Sequence, residues 1–133
     1  MVGIIIAAHG NLAQELLETT QFIVGDVENI VALTIDPSKQ VEKLKATIAK
    51  AIRQVDQGEG VLILTDMFGG TPSNIALTFL EKGKVDIVTG VNLPMLIRLA
   101  QCRSSGEDLE KVTEEVLTYG RKSINQASQI LKA

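Results

Sequence analysis

The sequence predicts an α/β fold: one doubly wound, mostly parallel sheet with helices on both faces. Strand-length apolar runs such as residues 2–8 and 61–65 lack polar alternation, as strands buried on both faces do. Amphipathic segments at helical spacing follow them, and this β-then-α alternation dominates the chain. Right-handed crossovers between parallel strands then place helices on each side of the sheet. With 133 residues the chain is the size of one domain, and 1–133 is read as a single domain without linker or repeat.

Residues 2–8 form the first predicted strand, and Leu12, Leu16, Leu17 and Ile23 mark a helix over 12–24. A second strand covers 30–35. Val41, Leu44, Ile48, Ile52 and Val55 then step by three and four along the face of the clearest helix. Gly58 and Gly60 punctuate the return to the third strand, 61–65. Thr71-Pro72 opens a helix through about Leu80, which Lys82-Gly83-Lys84 ends. A fourth strand over 85–89 leads through Asn92-Leu93-Pro94 into a short helix carrying Leu96, Ile97 and Leu99. Ser104-Ser105-Gly106 interrupts, and Leu109, Val112 and Val116 mark a helix that ends near Tyr119-Gly120. In the tail, 122–133, Ile124, Ala127 and Ile130 fit a helix, while the polar stretch between them fits an antiparallel edge strand. The pattern leaves both open.

The totals narrow the function classes. Hydrophobic residues make up 45% and charged residues 22%, an ordinary balance for a water-soluble globular chain. The longest apolar runs fall far short of the roughly 18 residues that would suggest a membrane span. No basic stretch precedes the first apolar run, so a secretory signal is not expected. The single Cys102 cannot form an internal disulfide, which fits a reducing cytoplasm, and it reads as a partly buried small hydrophobe. Net charge −3, no basic run, three Phe, one Tyr and no Trp argue against nucleic acid. Neither a G-x-G-x-x-G fingerprint, a Walker loop nor a G-x-S-x-G elbow occurs, and one His with one Cys serves zinc poorly. No cofactor and no metal are expected.

In an open α/β sheet the ligand site lies beyond the carboxyl ends of the strands, where the strand order reverses. Three loops there carry candidate residues: His9-Gly10-Asn11 after the first strand, residues 66–74 after the third, and residues 90–94 after the fourth. In the order 2-1-3-4, strands one and three are neighbours about 4.8 Å apart, which lets His9 and Asp66 touch. A carboxylate on one imidazole nitrogen fixes the tautomer, leaves the other nitrogen nucleophilic and stabilises positive charge on the ring. Alternatively, His9 simply hydrogen-bonds a loop backbone and Asp66 caps a turn. Gly69, Gly70 and the helix start at Thr71 can cradle a phosphoryl group, or form an ordinary turn with Thr71 as N-cap. Ser73 either offers its hydroxyl to a phosphoryl oxygen or lies on the helix surface. Met67 and Phe68 are loop hydrophobes folded onto the core or an exposed patch for a partner, and Met95 poses the same choice.

With these residues in view, the chain resembles the mannose-type enzyme IIA proteins of the bacterial phosphoenolpyruvate:sugar phosphotransferase system. The anchors are G-I-I-I-A-A-H-G at 3–10, L-T-D-M-F-G-G-T-P-S-N at 64–74 and G-V-N-L-P-M-L at 90–96. The resemblance implies a phosphoryl carrier. His9 would accept the group from the histidine-containing phosphocarrier protein and pass it to a histidine of an enzyme IIB protein. Asp66 would orient His9, and Thr71 would hydrogen-bond beside the Gly69-Gly70 turn, while Phe68 stands where relatives vary. Relatives are homodimers that exchange an edge strand near the carboxyl terminus, here the tail, and approach the membrane only through the permease complex. Two related roles compete: a phosphotransfer subunit for a dihydroxyacetone kinase, and a regulator whose phosphorylation state is read by a partner. A small-molecule binding module, with His9 incidental, is the remaining alternative.

Overall fold

The computed structural model describes residues 1–103 and 106–131. Ser104 and Ser105 of the expected interruption, and Lys132 and Ala133 at the end of the tail, lie outside the described residues. The elements run β1 (Gly3–Ala8), α1 (Leu12–Val24), β2 (Ile30–Thr34), α2 (Val41–Val55), β3 (Val61–Thr65), α3 (Thr71–Leu77), β4 (Val85–Thr89), α4 (Leu93–Cys102), α5 (Leu109–Lys122) and α6 (Ala127–Ile130).

The strands form a four-stranded sheet in the order β2-β1-β3-β4, with every pair parallel. Ile4 faces Ile30 on one side of β1 and Leu62 on the other, and Val61 pairs with Val85. β1 and β3 are buried along their whole length, which is why their sequences are continuously apolar. Alternate residues feed two cores. Ile4, Ile6, Ala8, Leu62 and Leu64 pack with Leu96 and Leu99 of α4 and Val112 and Val116 of α5. Ile5, Ala7, Val61 and Ile63 pack with Leu44, Ile48 and Val55 of α2 and Ile75 and Ala76 of α3. The chain leaves β1 toward one edge of the sheet and β3 toward the other, so the order reverses between them, above the carboxyl ends of β1 and β3.

The opposite end of the sheet is held by a residue that hydrophobic periodicity does not flag. Arg103, just after α4, is only 3% exposed. Its Nη1 donates to the carbonyls of Val2 at 2.8 Å and Asn29 at 3.0 Å, and its Nη2 donates to that of Glu28. One guanidinium thereby ties the end of α4 to the entrance of β1 and to the loop before β2. Its burial draws its pKa below the ordinary arginine value.

Several boundaries differ from the sequence expectation for identifiable reasons. In α1 the face toward the sheet runs through Ala13, Leu16, Leu17 and Thr20, while Leu12 and Ile23 are exposed on its flank. A Thr was not expected on that face, but its hydroxyl donates to the Leu16 carbonyl at 2.7 Å and so is not left unpaired. α3 stops at Leu77 rather than Leu80. The amides of Thr78, Phe79 and Leu80 bond three residues back, at 3.1, 3.0 and 3.3 Å, and the Thr78 hydroxyl takes the Ile75 carbonyl at 2.6 Å. α5 runs through Gly120 to Lys122, so Gly120 is not a terminator. A Cβ there would lie 2.7 Å from Cγ of Met95, and the glycine is what admits that side chain. Met95 itself is 4% exposed and belongs to the core, so the docking role considered for it is withdrawn. The tail adds no antiparallel edge strand among the described residues; it makes the single turn α6, with Ile124, Ile130 and Leu131 exposed.

Candidate active site

β1 delivers His9 to the switch point and β3 delivers Asp66 beside it. The His9 carbonyl accepts from the amide of Leu12 at 3.3 Å, so the chain turns at once into α1, with Gly10 at φ 56° in the turn. The amide of His9 donates to Oδ2 of Asp66 at 3.0 Å, and Nδ1 of its ring lies 2.8 Å from the same oxygen. An ionised carboxylate oxygen only accepts, so Nδ1 carries the proton and Nε2 keeps its lone pair. The His9 side chain is 39% exposed and that of Asp66 11%. The pair is thus anchored from within and open to solvent on the His9 side.

Burial works against the charge on Asp66, but the hydrogen bonds from the His9 amide and ring, together with electrostatic attraction to His9, outweigh it. The carboxyl is held below its usual range and is ionised at neutral pH.

Gly69 and Gly70 have φ of 83° and 97°, angles that favour glycine. At Gly70 space matters as well: a Cβ would stand 3.1 Å from Cε1 and 3.5 Å from Nε2 of His9. The loop backbone therefore floors the free edge of the ring. Gly70, not Thr71, is the N-cap of α3; Thr71 is the first helical residue and is half-buried next to that floor, with Pro72 after it. Ser73 is fully buried rather than on the helix surface, and its Oγ accepts from the amide of Gly69 at 3.3 Å. No apolar period marks such a residue, and its only signal was its place after Gly-Gly-Thr-Pro.

Met67 and Phe68 are 53% and 76% exposed, so neither folds onto the core, and Leu12, at the start of α1, is also exposed. The loop after β4 has a structural task. The amide of Val91 bonds to the Thr65 carbonyl at 2.9 Å, and Oδ1 of Asn92 caps α4 by accepting from Met95 at 3.1 Å. Its Nδ2 reaches the Gly120 carbonyl at 3.3 Å. Cys102 is buried, which pushes its thiol pKa up. Among the described residues no group of three or more His, Cys, Asp and Glu is arranged to hold a metal ion. Nor is any helix among them long and apolar enough to cross a membrane.

Most of the chain's length is similar to known proteins. The family model for the PTS system fructose IIA component, EIIA-man, matches residues 3–117. The fructose-specific EIIA component of Bacillus subtilis is 33% identical over 104 residues, 77% of this chain and 71% of that protein. The mannose-specific EIIAB component of Escherichia coli K12 is 28% identical over 124 residues, 92% of this chain but only 38% of the relative. The chain thus spans well under half the length of that relative. The crystal structure of a phosphotransferase system component EIIA from Streptococcus agalactiae superposes with a TM-score of 0.86 at 26% identity, covering 97% of this chain and 99% of that one.

Proposed function

This chain belongs to the mannose-type IIA family of the phosphoenolpyruvate:sugar phosphotransferase system, and we propose that it carries a phosphoryl group on Nε2 of His9. The observation that carries the reading is the 2.8 Å contact between Nδ1 of His9 and Asp66, which leaves Nε2 as the nucleophile at the open rim.

The donor is the histidine-containing phosphocarrier protein and the acceptor an enzyme IIB protein. In the first step a bond forms between Nε2 and phosphorus as the donor's N–P bond breaks, and the electron pair returns to the donor nitrogen. Nδ1 keeps its proton, and Asp66 stabilises the positive charge that develops on the ring. The second step is the same exchange toward IIB. Because both partners offer nitrogen nucleophiles, transfer is nearly thermoneutral, and the work of the site is alignment and charge stabilisation. In this reading Gly69, Gly70 and the Thr71 hydroxyl meet the phosphoryl oxygens. Met67 and Phe68, exposed on the loop that carries Asp66, suit a shallow and transient protein interface.

No metal or cofactor has a step in this reading, and sugar meets only other subunits. The protein acts in the cytoplasm, with residues 1–133 as one IIA domain and membrane contact only through the permease. A homodimer fits the outer edge of β4, which pairs with no further strand among the described residues.

The transfer reading is tested by mixing the isolated phosphorylated protein with an enzyme IIB protein. Label is expected to leave His9 and appear on IIB within the mixing time. Label that stays on this chain in the presence of an active IIB would instead mark a phosphorylation sensor.

A further inference from the structure

We infer that Ser73 is a positioning residue: its buried hydroxyl holds Gly69, so that Gly70 stays against the Nε2 edge of His9. The inference rests on the phosphoryl-carrier reading and adds to it a residue that does not touch the reacting atoms.

Position 73 is on the core face of α3, where Pro72, Ile75 and Ala76 are also buried. An apolar side chain would suit it, and a hydroxyl removed from water there is unfavourable unless it is bonded. What it bonds is informative. Thr20 and Thr47 each turn the hydroxyl back to the carbonyl four residues earlier in their own helix. Ser73 instead accepts from the amide of the residue four earlier, Gly69, which lies outside the helix in the loop that began at Asp66. The bond spans the Gly70 peptide, and Gly70 is the residue at which a Cβ would stand 3.1 Å from Cε1 of His9. With φ of 83° and 97°, Gly69 and Gly70 have wide conformational freedom, so one internal tether narrows the positions this floor can take. A near-attack geometry is sensitive to shifts of about 1 Å, which can cost about 10²-fold in rate. At 3.3 Å the tether is a long hydrogen bond, so the expected effect is smaller.

The test compares wild type, Ser73→Ala and the near-isosteric Ser73→Cys. Rates of phosphorylation by the phosphorylated phosphocarrier protein are measured alongside NMR of the His9 ring and the Gly69 and Gly70 amides. In Ser73→Ala the maximal rate should fall about tenfold with KM within a factor of two, and the His9 Hε1 and Gly70 amide resonances should move. Ser73→Cys, with a weaker acceptor, should lie between, and it carries the comparison should the alanine variant fail to fold. A loss of thermal stability with unchanged maximal rate and unchanged His9 resonances would overturn the inference and leave Ser73 a packing residue. If wild type accepts no phosphoryl group the carrier reading itself fails, and the resonances of the unphosphorylated variants still decide whether Ser73 sets the loop against the ring.

Discussion

Asp66→Asn is expected to fold and to accept a phosphoryl group about 10³- to 10⁴-fold more slowly than wild type. The side chains are nearly the same size, and Asp66 lies at the rim rather than in either core. What changes is the proton inventory. Oδ2 of Asp66 accepts from both the amide and Nδ1 of His9. An Asn amide group can present N–H to Nδ1, which moves the ring proton to Nε2 and removes the nucleophilic lone pair, and it no longer neutralises the charge that develops on the ring. Rapid-quench phosphorylation measures the rate, and a rate within threefold of wild type would remove Asp66 from the mechanism. The substitution also changes the acid limb of stability. The folded carboxyl titrates below its ordinary value of 3.8, so its stabilising contribution is complete above the unfolded pKa and is lost as pH falls through the lower folded one. Wild type should therefore lose stability below about pH 4 more steeply than Asp66→Asn.

The second large effect is on stability. Arg103→Met keeps an apolar stem but strips the carbonyls of Val2, Glu28 and Asn29 of their guanidinium donor at a site 3% exposed. The buried Val2 carbonyl left unpaired costs about 1–3 kcal/mol and the loss of the part-buried Glu28 contact adds to it, while the Asn29 carbonyl keeps the amide of Ile4 at 3.1 Å, so a loss of about 2–3 kcal/mol is expected. For a chain of this length that lowers Tm by about 10 °C. Phosphorylation of the folded fraction should be unchanged, because Arg103 holds the end of the sheet away from His9. Thermal unfolding with a fall in Tm under 3 °C would show that the guanidinium holds nothing the fold needs.

The framework was legible because its signals are periodic. Continuous apolar runs set the strands of the sheet, and the helical stripe of Leu44, Ile48 and Val55 set α2. His9 and Asp66 were readable as a pair because strand order turns sequence position into adjacency: both follow central strands that neighbour each other. What was missed depends on polar contacts and local space, which leave no period. Ser73 and Arg103 are buried polar residues justified only by partners outside their helix, one loop amide for Ser73 and three distant carbonyls for Arg103. Gly120 was read as a stop signal because the pattern does not show that Met95 packs across it. Met95 was placed by its position after Pro94, but the turn of α4 points it into the core. The end of α3 followed from a hydroxyl competing for one carbonyl, below the resolution of any hydrophobic repeat.

The most direct measurement is intact mass after incubation with phosphoenolpyruvate, enzyme I and the phosphocarrier protein, with His9→Ala alongside and a known IIA protein as control. A single acid-labile phosphoryl addition to wild type, absent from His9→Ala, is the predicted result. An unmodified wild-type chain in a mixture that labels the control, or equal labelling of His9→Ala, would contradict it.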